Sequence, residues 1–408
     1  MRADLLVALA ALTSLGPIDE RQRYFVVPTG DPADVAGSCP AAFSDDGRVV
    51  AFDALAALDP ADTNGRVDVY VLDRESRVLT LVSKGLSGES GRGASRCPRI
   101  SDDGQRIVFE SSAGDLVEHA PHDTADAFLF DRTTGRLRRL SVLPDTRPAT
   151  SGTPAISGDG RIVVFHASIS DGARLERSQV YRISLDDDGR PEALGEGFDP
   201  VTSGDGRVVA YVTRPPGGGP SVIRVMHANG EHRVGHPAQG DADGDTYAPA
   251  LSADGQWIAY VSRATTLVAG QRLSGQPQVY LERLTDGQRQ LISATPQGRE
   301  ANGQAGAPSV DGTGRRVVFH STATNIGCGS GDRPGCDTDI NLLLDVFLWD
   351  RATGGVARVN TRTTSLPWLE GAGHAVISHD GRAIAFRSRQ PVSAADDRAT
   401  SDLFITAR

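Results

Sequence analysis

Lysine is nearly absent from this chain: Lys84 is the only one, and the rest of the cationic charge is arginine, a usage that reflects a GC-rich genome. Chemistry that needs a placed lysine therefore has one candidate. Lys84 sits in a loop without the Gly-x-x-x-x-Gly-Lys frame that cradles phosphates, which excludes a P-loop. Basic surface is scarce too. With a formal net charge of −10, no cationic stripe is available to neutralise phosphates, so nucleic acid is not an expected partner. Long apolar runs are missing. The longest, Leu5 to Leu12, is far too short to span a bilayer. Placed after Arg2, and with Ala8-Leu9-Ala10 as a small-x-small site, it has the character of a signal-peptide h-region, although Asp4 weakens the positive flank. Residues 1–16 are accordingly read as a signal peptide, 17–408 as one domain, and the protein as exported to the periplasm or beyond.

Nucleophile motifs are also lacking. No Gly-x-Ser-x-Gly elbow occurs, since Gly93-Ala94-Ser95-Arg96-Cys97 lacks the last glycine. No His-Glu-x-x-His or Cys-x-x-Cys occurs either, which removes the common zinc signatures.

What the chain does have is a repeat. Ile100-Ser101-Asp102-Asp103-Gly104-Gln105-Arg106-Ile107-Val108-Phe109 has counterparts at Phe43 to Phe52, Ile156 to Phe165, Thr202 to Tyr211, Leu251 to Tyr260, Val310 to Phe319 and Ile377 to Phe386. Six read Ser-x-Asp-Gly, while the Val310 copy has Asp311-Gly312-Thr313-Gly314. Serine, aspartate and a glycine tolerant of positive φ make a tight hairpin corner, and the β-branched and aromatic run behind it reads as a buried strand. A second strand signal follows each corner, such as Asp68 to Asp73, Asp126 to Asp131 and Asp345 to Asp350, then a turn and a short fourth strand. Seven such units predict an all-β fold, a seven-bladed β-propeller of four-stranded antiparallel blades. The last unit runs out after its third strand. Arg23 to Val27, at the other end of the chain, is predicted to supply the missing strand and close the ring.

These motifs resemble the TolB-like propeller repeats of bacterial envelope proteins over roughly Arg23 to Arg408. The resemblance implies the fold; the family includes partner-binding modules as well as enzyme-attached propellers.

Cysteine use fits export. Cys328 and Cys336 bound a glycine-rich loop and are expected to form a disulfide; Cys39 and Cys97 enter adjacent blades at nearly equivalent heights and offer a second. Acidic loops at Asp59 to Asp68, Asp241 to Asp245 and Asp337 to Asp345 carry hard oxygens that calcium could use. None completes an EF-hand, and Asx-turns capping strands are the commoner explanation. No other cofactor is expected. His166 and His320 follow the aromatic of their second strands, and His374 precedes the seventh corner. Histidines on different blades can hold a metal, but the equivalent position elsewhere is variable.

The long, irregular loops all fall on the face opposite the corners. Trp368, Arg92, Arg96, Arg299 and His374 are the candidate partner-binding residues of this face and the central channel. The expected function is a monomeric, non-enzymatic exported propeller that binds a protein or peptide through this face and the central channel. The alternative is a lyase or hydrolase acting on a glycan or small molecule at the channel mouth.

Overall fold

The computed structural model describes residues 24–32, 39–118, 124–143, 149–170, 175–187, 189–215, 217–227, 230–235, 243–326, 343–360, 371–389 and 400–406. Among these every regular element is a strand. β1 (Tyr24–Pro32) precedes the first blade, which is β2 (Ala42–Phe43), β3 (Val49–Ala54), β4 (Asp68–Asp73) and β5 (Val78–Leu81). Blade two is β6 (Ser95–Ile100), β7 (Arg106–Ser111), β8 (Asp126–Asp131) and β9 (Arg136–Arg139). Blade three is β10 (Ala149–Ile156), β11 (Ile162–Ser170), β12 (Leu175–Ser184) and β13 (Glu192–Glu196). Blade four follows as β14 (Phe198–Thr202), β15 (Val209–Thr213), β16 (Val222–His227) and β17 (Gly230–Val234). Blade five is β18 (Thr246–Leu251), β19 (Trp257–Ser262), β20 (Gln278–Arg283) and β21 (Arg289–Leu291). Blade six is β22 (Ala305–Val310), β23 (Arg316–Ser321), β24 (Asp345–Asp350) and β25 (Gly355–Arg358). The seventh sheet contains β26 (Ala372–Ile377), β27 (Ile384–Ser388) and β28 (Thr400–Thr406), with β1 as its outermost strand. Tyr24 lies opposite Thr406 and Val27 opposite Leu403. The fold is a seven-bladed β-propeller of four-stranded antiparallel blades.

Each corner is built as its sequence dictates. All seven corner glycines have positive φ, between 65° and 73°. In the second, Ser101 Oγ donates to Asp103 Oδ1 at 2.6 Å and accepts from Arg106 N at 3.0 Å. The departing sixth copy keeps the network by another route. Asp311 stands at the serine position, where its carboxylate accepts from Arg316 N at 3.0 Å and from the Thr313 hydroxyl at 3.2 Å. The donor and acceptor have changed places, and the turn is preserved.

The corners also join one another. Asp45 N donates to Asp102 O, Asp102 N to Gly158 O, Asp159 N to Gly204 O, and Gly204 N to Ala253 O. Asp254 N to Gly312 O, Gly312 N to His379 O and Asp380 N to Asp45 O complete a circle, all at 2.8–3.1 Å. Seven backbone hydrogen bonds thus run around the axis at this face, satisfying polar groups that the narrow inner rim would otherwise strand.

Between blades lies the core. Six blades stack the aromatic of their second strand on that of the third, from Phe52–Tyr70 to Phe386–Phe404, with centroids 5.5–5.9 Å apart. Blade four differs, since Tyr211 faces Arg224, whose guanidinium lies 6.0 Å from the ring centroid.

Candidate functional site

Strand direction sorts the connections. First strands run towards the corner face, so the loops between second and third strands, and the links between blades, all emerge on the opposite loop face. Lys84 to Ala94 is one such link, pinned by the Lys84–Ser90 bridge and by Leu86 N donating to Asp115 O at 2.9 Å. Ala294 to Gln304 repeats it on blade six, with an Ala294–Glu300 bridge. Arg92 and Arg299 are exposed at their tips. Arg96 and His374 instead stand in β6 and β26, partly buried in the channel wall. Trp368, Cys328 and Cys336 lie outside the described residues, as do residues 1–16.

Of the acidic loops, the first is engaged with its own chain. Asp59 Oδ1 accepts from Ala61 N at 2.8 Å, the Tyr70 hydroxyl donates to Asp62, and Asn64 Nδ2 donates to Asp68 Oδ2 at 2.7 Å. Asp243 and Asp245 likewise accept from Thr265 N and Ser221 N. Asp241 and the run from Asp337 to Asn341 lie outside the described residues. Among the described residues no three His, Cys, Asp or Glu side chains converge to hold a metal.

Sequence reasoning missed how the channel wall is made. Four residues before the corner serine or its equivalent, six inner strands carry a non-glycine residue at positive φ: Cys97, Thr153, Asp199, Ala248, Ala307 and His374, between 42° and 55°. Such a backbone costs on the order of 1 kcal/mol for each residue. Every one sits inside a register irregularity of its strand pair, so the fold holds a β-bulge there. Blade one has Pro40 at this position, whose ring forbids positive φ, and its first strand is only Ala42–Phe43.

Each bulge faces the residue after the second-strand aromatic. Gly152 pairs with His166, Gly306 with His320 and Gly373 with Arg387. A Cβ on Gly152 would come within 3.3 Å of His166 Nε2 and 3.4 Å of Glu110 Oε2, so the missing side chain is the space those groups occupy. Reading the glycine five residues before three of the corners against the polar residue behind the aromatic would have found these pairs.

The wall's ionisable groups join neighbouring blades. Asp53 and Arg387 are both fully buried and ion-paired; Arg387 Nη2 also donates to Asp53 O at 2.8 Å and Nη1 to Thr29 Oγ1 of β1 at 3.2 Å. Cys97 N donates to Asp53 Oδ2 at 3.1 Å, and Thr153 N to Glu110 Oε2 at 3.2 Å. Cys39 and Cys97 form a disulfide, with Cα atoms 4.9 Å apart, that ties the entry of blade one to blade two. Burial raises the pKa of Glu110 and of Asp199, and lowers that of His166. His320 is pushed down to about 4, by burial first and by His374 second; the two rings lie 6.5 Å apart.

One more ionisable pair stands at the corner end. His379 Nδ1 reaches Asp102 Oδ1 at 2.6 Å, spanning blade one. Burial opposes the charged ring, yet Asp102, Asp45 and Asp311 hold its pKa above the ordinary value. The matching positions of blades three to six are Gly158, Gly204, Ala253 and Gly312.

No protein-family model matches the chain, and no curated protein does. Solved structures do. An oligogalacturonate lyase from Vibrio parahaemolyticus superimposes with a TM-score of 0.57 at 12% identity, covering 96% of this chain and 92% of that one. An oligogalacturonate lyase in complex with manganese gives 0.55 at 16%, covering 91% and 88%. The β-propeller domain of the Trilobed protease from Pyrococcus furiosus gives 0.55 at 11%, covering 94% and 93%. TolB structures match at lower scores. At these identities the likeness is one of fold.

Proposed function

We propose that this protein is an exported, non-enzymatic propeller that binds a protein or peptide partner through its loop face. One observation carries the reading. Of the four large apolar side chains exposed among the described residues, Leu86 (64%), Val142 (59%) and Leu343 (40%) stand on connections of the loop face. The fourth, Val78, stands at the outer rim of the corner face. A lone exposed leucine needs no explanation. Three on the irregular connections of one face, with Arg92 and Arg299 exposed on the same face, have the make-up of a contact patch. The channel-wall ionisable groups are largely engaged in joining blades, which favours binding over chemistry. Export is supported by the Cys39–Cys97 disulfide, and no helix among the described residues is long and apolar enough to cross a membrane.

The test places a photo-crosslinking residue at position 86, 142 or 78 and exposes the protein to an envelope extract. A discrete adduct shared by positions 86 and 142 and missing from 78 is expected. Labelling of equal intensity from all three positions, or from none, contradicts the proposal.

A further inference from the structure

The outer hairpin of blade four departs from its counterparts. In blades one, two and six the third strand ends on an aspartate, followed by four residues before its partner on the fourth strand. Asp73 pairs with Val78, Asp131 with Arg136 and Asp350 with Gly355. Each aspartate caps its own turn, its Oδ1 accepting from Ser76 N at 3.1 Å, Thr134 N at 2.9 Å or Ala352 N at 2.8 Å. In blade four His227 takes that place and pairs with Gly230, so only two residues separate the strands. A two-residue hairpin needs no side-chain cap from the residue before it. The side chain of His227 is released from the task the aspartates perform.

It turns to His232 instead. His232 lies opposite Val225, and Val225 and His227 are two residues apart, so both imidazoles stand on one face of the sheet. His227 Nε2 is 3.1 Å from His232 Nδ1, and the rings are inclined at 61° with centroids 5.1 Å apart. The same face carries Ile223, Val225 and Val234, all fully buried in the core shared with blade five. Both histidines are half-buried at its outer end. Glu231, the acid beside His232 in the chain, faces the other way and is held by Arg224 Nε at 2.9 Å. Two nitrogens each about 2.0–2.1 Å from one metal ion stand roughly 2.8–3.4 Å apart in square or tetrahedral coordination. The observed separation falls inside that range.

We propose that His227 and His232 chelate one divalent late transition-metal ion, Cu(II) most tightly, with water completing its coordination. His227 binds through Nε2 and His232 through Nδ1. The proton that now lies between the two rings moves to the other nitrogen of its own ring, and none is released. Two neutral imidazoles favour Cu(II) over Zn(II) and Ni(II), and discriminate against Mg(II) and Ca(II), which require oxygen. The hairpin stands at the outer rim of the corner face, away from the loop-face contact, so either proposal can fail without the other.

Isothermal titration calorimetry of the full chain near neutral pH tests it, using Cu(II), Zn(II) and Mg(II) alone as probes. Cu(II) is expected to bind saturably, more tightly than Zn(II), and Mg(II) not at all. His227→Gln and His232→Gln should each weaken the tightest Cu(II) equivalent about tenfold or more, since each removes half of the chelate. The electron paramagnetic resonance spectrum of that equivalent should show two nitrogen ligands in wild type and one in either variant. Failure of Cu(II) to bind, or binding of Mg(II) as tight as that of Cu(II), overturns the proposal. So does a tightest Cu(II) equivalent of unchanged affinity in either variant, which would place the ion elsewhere. Should a variant not fold, wild type alone decides: Cu(II) tethers β16 to β17 and should slow amide exchange at His227 and Glu231. Unchanged exchange there has the same overturning force.

Discussion

The two faces of this ring are built on opposite rules. At the corner face seven turns repeat one local network, and seven backbone hydrogen bonds link each turn to the next. Where the sequence changes there, as at Asp311, the geometry is recovered by other atoms. At the loop face the connections differ in length and composition, and three of the four large apolar side chains exposed among the described residues stand on them. Uniformity marks what the fold needs, and irregularity marks what is free to recognise something else. Substitutions in the frame should therefore cost stability, and those on the loop face should cost binding.

The largest effect is expected at the seam. Deleting residues 21–28 removes half of β1, with Val27 buried against blades one and seven. A loss of several kcal/mol or failure to fold is predicted, since a blade is left with an open edge. A melting temperature unchanged by the deletion would show that the circle of corner hydrogen bonds, including Asp380 to Asp45, closes the ring alone. Next is Arg387→Ala, which strands the buried Asp53 carboxylate and should cost about 3–5 kcal/mol in chemical denaturation.

A subtler contrast separates blade one from blades two and six. Asp68, Asp126 and Asp345 open their third strands identically, each accepting from a Ser or Asn beyond the fourth strand. Asp126 has Arg139 and Asp345 has Arg358 as an ion partner. In blade one Leu81 takes that register position, and burial pushes Asp68 up to about 7. A carboxyl with a raised folded pKa stabilises fully below its unfolded value and loses that contribution as pH rises through the folded one. Asp68→Asn should thus become more favourable relative to wild type from about pH 4 to about pH 7, by roughly 4 kcal/mol across that range, on top of a pH-independent loss of the Asn64 hydrogen bond. A difference that does not change with pH would remove this assignment. Gly160→Val, at φ 73°, should cost about 1–2 kcal/mol or more by the same denaturation measurement.

How much of this was legible beforehand follows from the range of the contacts. The corners close within five residues, so Ser-x-Asp-Gly and the following aromatic specify them, and their number specifies the blades. The Cys39–Cys97 disulfide was within reach because the repeat places both at matching heights. The channel wall was not. Asp53 and Arg387 are 334 residues apart, and the bulge residues are themselves not glycines, with a glycine just before them in only three blades. Arg96 and His374, both candidate partner-binding residues, lie within strands of that wall, whose inward edge only the closed ring defines.

The most direct test of the contrast between faces is one protein measured two ways. The double variant Leu86→Asp, Arg92→Glu changes two exposed loop-face side chains and no core contact. Its unfolding free energy should stay within about 0.5 kcal/mol of wild type, while photo-crosslinking of the envelope partner from position 142 is lost. A variant that melts early, or one that keeps its adduct undiminished, would contradict the assignment of recognition to the loop face.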